Sequence, residues 1–101
     1  MPIKNKLIIS PSFSEDFYQI IENVSNYSIP LSQRIKKELR LKILYLQEYP
    51  RMYQVIKIIN QKEIRKIIIS KYVILYSINN NNINILNIYP QKSNYINLIK
   101  I

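Results

Sequence analysis

Lysine, arginine and tyrosine dominate the reactive side chains of this sequence. There are 15 Lys and Arg and nine Tyr against six Asp and Glu, with no His, no Cys and no Gly. Without His and Cys there can be no zinc finger, zinc hydrolase, disulfide scaffold or His-activated nucleophile. Without Gly, phosphate-cradling loops and dinucleotide fingerprints are excluded. No metal or cofactor is expected. What remains is recognition of acidic partners by cations with tyrosines interleaved. Those cations are concentrated. Residues 30–71 hold 11 Lys/Arg against 3 Asp/Glu, a net of +8, while residues 1–29 hold 2 against 3 and residues 72–101 hold 2 against none. Ile, Asn, Lys and Tyr have AT-rich codons, so a low-GC genome accounts for part of the +9 total. It does not account for the clustering, which implies a basic surface facing an acidic partner.

The elements that position these residues follow from periodicity. At 101 residues and 48% apolar, the chain is read as one domain, residues 1–101. Ile3, Leu7, Ile8 and Ile9 read as a first strand closed by Pro11. Ser12 or Ser14 is expected to cap a helix, Ser12 with Glu15 forming a capping box. Phe17, Ile20, Ile21 and Val24 recur at helical spacing, and this helix should end near 26–28. Pro30 is read as a break and Ser32 as the cap of a second helix. Its apolar stripe is Leu31, Ile35, Leu39, Ile43 and Leu46, and Pro50 stops it. Lys36, Lys37 and Arg40 lie together on another face. Their repulsion costs a few tenths of a kcal/mol per pair, as a helix with an acidic binder would tolerate.

Residues 51–62 read as either an extended loop or a further strand. Residues 64–70, 72–78 and 83–89 are β-branched and aromatic runs. Ser70-Lys71 and Asn79 to Asn82 make short links, the Asn replacing the absent Gly at left-handed positions. The expected fold class is α+β, in the order β-α-α-β-β-β, with a helical hairpin on an antiparallel sheet. No signal peptide is visible, and the longest uncharged run, 72–91, holds six Asn. It is too polar to span a bilayer, so a cytoplasmic protein with no membrane partner is expected.

In this order the parts resemble the RelE/ParE superfamily of bacterial toxins. The resemblance is carried by Ser10-Pro11-Ser12 after the first strand and by Leu46-Gln47-Glu48-Tyr49-Pro50 closing the second helix. Arg65-Lys66 then precedes an aliphatic strand, followed by Ser70-Lys71, Tyr72 to Tyr76, and the tail Tyr89-Pro90-Gln91-Lys92-Ser93-Asn94-Tyr95. It covers about residues 5–98. It implies the toxin of a type II toxin–antitoxin system, inhibiting growth and neutralised by a cognate antitoxin with an acidic segment that folds on binding.

The superfamily offers two activities. RelE-like members cut mRNA on the ribosome, and ParE-like members poison DNA gyrase without being enzymes themselves. Cleavage requires activation of the 2′-OH, protonation of the leaving oxygen and stabilisation of phosphorane charge. By the resemblance, Lys66 and Tyr95 are the catalytic candidates if the chain is RelE-like, and Arg65, Lys71 and Lys92 are target- or nucleic-acid-binding candidates. Against cleavage, RelE-like nucleases carry an Arg directly after the first Tyr of Tyr-x-x-x-Tyr, where this chain has Val73. The ParE-like reading is therefore preferred, with RelE-like cleavage as the alternative. A decayed toxin, or a basic nucleic-acid-binding module without toxicity, is the further alternative.

Each residue also has an ordinary role. Tyr72 and Tyr76 can be sheet packing, Arg65 a structural partner of Glu63, Lys71 a solvated turn residue, Tyr95 a cover over the sheet and Lys92 plain surface. From its place in the basic strand, Arg65→Ala is expected to weaken toxicity while the fold survives.

Overall fold

The computed structural model describes residues 5–99. Ile3 of the expected first strand lies outside them. The elements are β1 (Lys6–Ile9), α1 (Pro11–Ser25), α2 (Ile29–Glu48), β2 (Val55–Ile59), β3 (Lys62–Ile69), β4 (Tyr72–Asn79), β5 (Asn82–Pro90) and a 3₁₀ turn at Tyr95–Leu98. Both helices form where the apolar spacing places them, but their caps lie upstream of the expected serines. Ser10, not Ser12 or Ser14, caps α1, its Oγ accepting from the Phe13 N–H at 3.1 Å. Ser28, not Ser32, caps α2, accepting from the Leu31 N–H at 3.2 Å. The reason is proline. Its fixed φ and missing N–H suit the first helical turn, so Pro11 and Pro30 begin the helices, and the serine ahead of each becomes the cap. Ser32 is buried inside the helix and donates to the Ile29 carbonyl at 2.8 Å.

Ser10 has a second task. Its hydroxyl also donates to the Leu86 carbonyl at 2.7 Å, tying the start of α1 to the sheet. Ser10→Ala removes both interactions and should destabilise the protein by about 1–2 kcal/mol in urea denaturation. A value near zero would mean that water replaces both partners at no cost.

Five strands form one sheet in the order β1-β5-β4-β3-β2. The expected meander is present, since β3, β4 and β5 pair antiparallel in succession. Of the two readings open for residues 51–62 the strand holds, since residues 55–59 pair antiparallel with β3. One feature corrects the expectation of an antiparallel sheet: β1 pairs parallel with β5, so the sheet is mixed. A first strand that returns through two helices can lie parallel to its neighbour, whereas two-residue links cannot produce that pairing. With no Gly, the tight turns place Asn60, Gln61, Ser70 and Asn80 at positive φ. Asn adopts this backbone readily, and Gln61 and Ser70 hold it at some cost.

The sheet is buried on both faces. Against the helices lie Ile67, Ile69, Ile74, Tyr76, Ile83, Ile85 and Ile88, packed with Phe13, Val24, Ile35 and Leu46. On the opposite face lie Ile64, Val73 and Leu75, packed with Ile56, Ile59, Leu86 and Tyr89. The chain's own tail covers this second cluster through Tyr95 and Ile99. Two covered faces explain why β4 reads as a nearly unbroken buried run rather than an alternating one.

Candidate functional site

Arg65 turns inward. Alternation along β3 puts it on the helix-side face with Ile67 and Ile69, opposite Tyr76 in β4. It is 7% exposed. Its Nη1 donates to the carbonyls of Arg51 at 3.1 Å and Tyr53 at 2.6 Å. Its Nη2 meets Glu63 Oε1 at 2.6 Å. Nε is buried without a partner. The guanidinium therefore clasps the segment after α2 onto the sheet. Tyr76 works beside it. Its phenol donates to the Pro50 carbonyl at 2.7 Å, and its ring meets Tyr53 edge-on with centroids 6.3 Å apart. Burial pushes the Tyr76 phenol well above the usual tyrosine value. The Arg65 cation opposes that rise and Tyr53 adds to it. Tyr76 is thus a neutral donor, held in the core and unsuited to act as a base. The ordinary roles weighed for Arg65 and Tyr76 describe both residues.

Lys66 points the other way. It follows Ile64 on the tail-covered face and stands opposite Leu75. Tyr95 packs against the same cluster, so the two residues share one side of the sheet. Between them the surface is apolar and closed. Val73 is 1% exposed, sealed among Ile64, Leu75, Tyr89, Tyr95 and Ile99. The Lys57 ammonium donates to the Ile96 carbonyl at 3.4 Å and ties the tail to β2.

Lys71 and Lys92 lie at the far end of the sheet. The Gln91 N–H donates to the Lys71 carbonyl at 2.8 Å, and the Gln91 side chain donates to the Ser70 carbonyl at 2.9 Å. Both lysines are exposed. Arg65 is more than about 13 Å away along β3, at 3.3 Å per residue. The five residues singled out from sequence thus fall into three places: a buried clasp, a tail-covered face and a solvated sheet end.

A further cation cluster sits on α2. Pro30, Gln33, Arg34, Lys36, Lys37 and Arg40 line one open groove. The like-charged spacing already marked Lys36, Lys37 and Arg40 in the sequence. Arg34 belongs with them, at i and i+3 from Lys37, and was not singled out there. Further along the helix, Leu41, Leu44, Tyr45 and Tyr49 are exposed large apolar side chains, as is Met52 just beyond it. Leu41, Leu44 and Tyr45 lie off the stripe of Leu31, Ile35, Leu39, Ile43 and Leu46 and are not singled out by the sequence reading.

Among the described residues there is no group of three or more acidic side chains placed to hold a metal. Among the described residues, no helix is long and apolar enough to cross a membrane. No curated protein matches the chain. The family model described as "ParE toxin of type II toxin-antitoxin system, parDE" matches residues 7–95, from β1 through the meander to Tyr95. That span contains both helices, β2 to β5 and all of β1 but Lys6, and the chain belongs to the ParE toxin family of type II toxin–antitoxin systems.

Proposed function

We propose that this toxin inhibits growth by poisoning DNA gyrase in the cytoplasm and is neutralised by a cognate antitoxin carrying an acidic segment. The observation that carries the target assignment is Val73. Where RelE-like nucleases carry a charge-stabilising Arg, this chain has an apolar residue sealed under its own tail. Losing one such group typically costs 100- to 1000-fold in rate, and here a closed apolar surface takes its place. The inward turn of Arg65 removes a second cation from any substrate. The net charge of +9 suits an acidic antitoxin.

RelE-like mRNA cleavage stays as the second reading because Lys66 and Tyr95 share one face of the sheet. Tightly controlled expression in bacteria, with DNA synthesis and translation followed in parallel, separates the two. The expected result is an early stop in DNA synthesis with a DNA-damage response. An early stop in translation with cut ribosome-bound mRNA would overturn the gyrase reading. Unchanged growth would mark a decayed toxin or a binding module.

A further inference from the structure

We infer that the groove on α2 lined by Arg34, Lys36, Lys37 and Arg40 is a binding site for the phosphodiester backbone of a nucleic acid. All four side chains are exposed. Among the described residues the one ion pair is Arg65–Glu63, so none of the four is neutralised by a carboxylate. The nearest acid in sequence, Glu38, lines a different hollow with Leu41, Lys42 and Tyr45. The protein thus carries the repulsion of four like charges within two helical turns without internal compensation.

Charge density selects the ligand. Arg34 to Arg40 spans about 9 Å of helix axis at 1.5 Å per residue. Duplex DNA presents one negative charge per about 1.7 Å of its axis, so four cations over that length face a comparable number of phosphates. Apart from Pro30 every groove residue ends in a polar or charged head, and the apolar side chains of Phe17, Leu39, Ile43 and Leu44 line a neighbouring hollow that shares Lys36 and Arg40. Lys and Arg donors on exposed stems suit phosphate oxygens, which fix position without reading sequence.

The test is binding by the intact protein, independent of toxicity. Fluorescence anisotropy with a labelled 20-base-pair DNA duplex of arbitrary sequence would be measured across a salt series, with a single-stranded RNA of equal charge as a second probe. Lys37→Ala/Arg40→Ala is compared with Lys6→Ala/Lys62→Ala, which removes the same charge from exposed positions elsewhere. Thermal melts would confirm that both double variants fold. The expected result is that the groove variant lowers the slope of log K against log salt by about 2 and affinity at low salt at least tenfold. The control should change affinity less than about threefold. Groove-dependent binding to either probe supports the inference, and the better ligand identifies the nucleic acid. Equal losses in both variants would overturn it, as would no binding at low salt. Displacement of the duplex by poly-L-glutamate as readily as by unlabelled duplex would overturn it too, assigning the groove to an acidic protein segment instead.

Discussion

Arg65→Ala should cost about 2–4 kcal/mol of stability and lower the melting temperature by several degrees, with any loss of toxicity following from loss of the folded state. The expectation from sequence, that this replacement spares the fold, is reversed by the geometry. The guanidinium is 7% exposed and donates to two backbone carbonyls and one carboxylate. Hydrogen bonds to a charged group are worth about 1.5–3 kcal/mol each when buried. The bond to Glu63 contributes less, because that carboxylate is 48% exposed and screened by water. The unpaired Nε lowers the total again. Truncation leaves the Arg51 and Tyr53 carbonyls without donors beside a cavity and loosens the segment that Tyr76 holds through Pro50. Arg65→Lys should recover only part of the loss, since one ammonium cannot reproduce the guanidinium fork. Chemical denaturation followed by circular dichroism would measure both variants. A loss below about 0.5 kcal/mol for the alanine variant would mean that the clasp adds nothing net.

The reversal at Arg65 shows where sequence reasoning stops. Alternation already places residues 65, 67 and 69 on one face of β3, but it does not say which face is open. In a sheet with one solvated face, the polar positions would mark the outside. Here both faces are covered, so Ile64 and Ile67 are equally apolar and buried on opposite sides, and Arg65 gives no sign of its direction. The helices were legible for the opposite reason. Phe17, Ile20, Ile21 and Val24, and then Ile35, Leu39 and Leu46, carry a period that only one structure satisfies. Their starts were misplaced because each proline has a serine on both sides, and only the upstream one can cap a helix that begins at or just before proline. Strand β2 is one of the two readings the sequence leaves open, and it pairs with the next strand across the Asn60-Gln61 turn, whereas the parallel pairing of β1 is hidden because its partner lies far along the chain, Leu7 against Ile83. The family resemblance rested on ordered short motifs and survived these local errors. The candidate site fared less well, because a motif specifies residue type and order but not whether a side chain faces solvent.

Val73→Arg is the strongest test of the closed face. Installing the Arg that RelE-like nucleases carry at this position should not create a nuclease. It should destabilise the protein by at least about 3 kcal/mol, or expel the tail to avoid that cost. Val73 is 1% exposed and pairs with Ile68 on one side and Tyr89 on the other. Its surroundings, Ile64, Leu75, Tyr95 and Ile99, offer a guanidinium no carboxylate, and Glu63 is already engaged by Arg65. An unpaired buried cation is untenable, so the arginine must reach water by displacing Tyr95 and Ile99. The measurable consequences are a lower melting temperature and faster proteolysis within residues 91–99, read by mass spectrometry of limited digests. Lys66→Ala provides the contrast. Lys66 is half-buried at the edge of the same surface, with no hydrogen-bond or ion-pair partner among the described residues, so its loss should change stability by less than about 0.5 kcal/mol. If Val73→Arg kept the wild-type melting temperature and gained ribosome-dependent mRNA cleavage that Lys66→Ala then abolished, the tail would be a movable cover over a catalytic surface. The expected outcome is the reverse, a destabilised protein without cleavage, because the apolar cluster beneath the tail is what holds β3, β4 and β5 closed on that side.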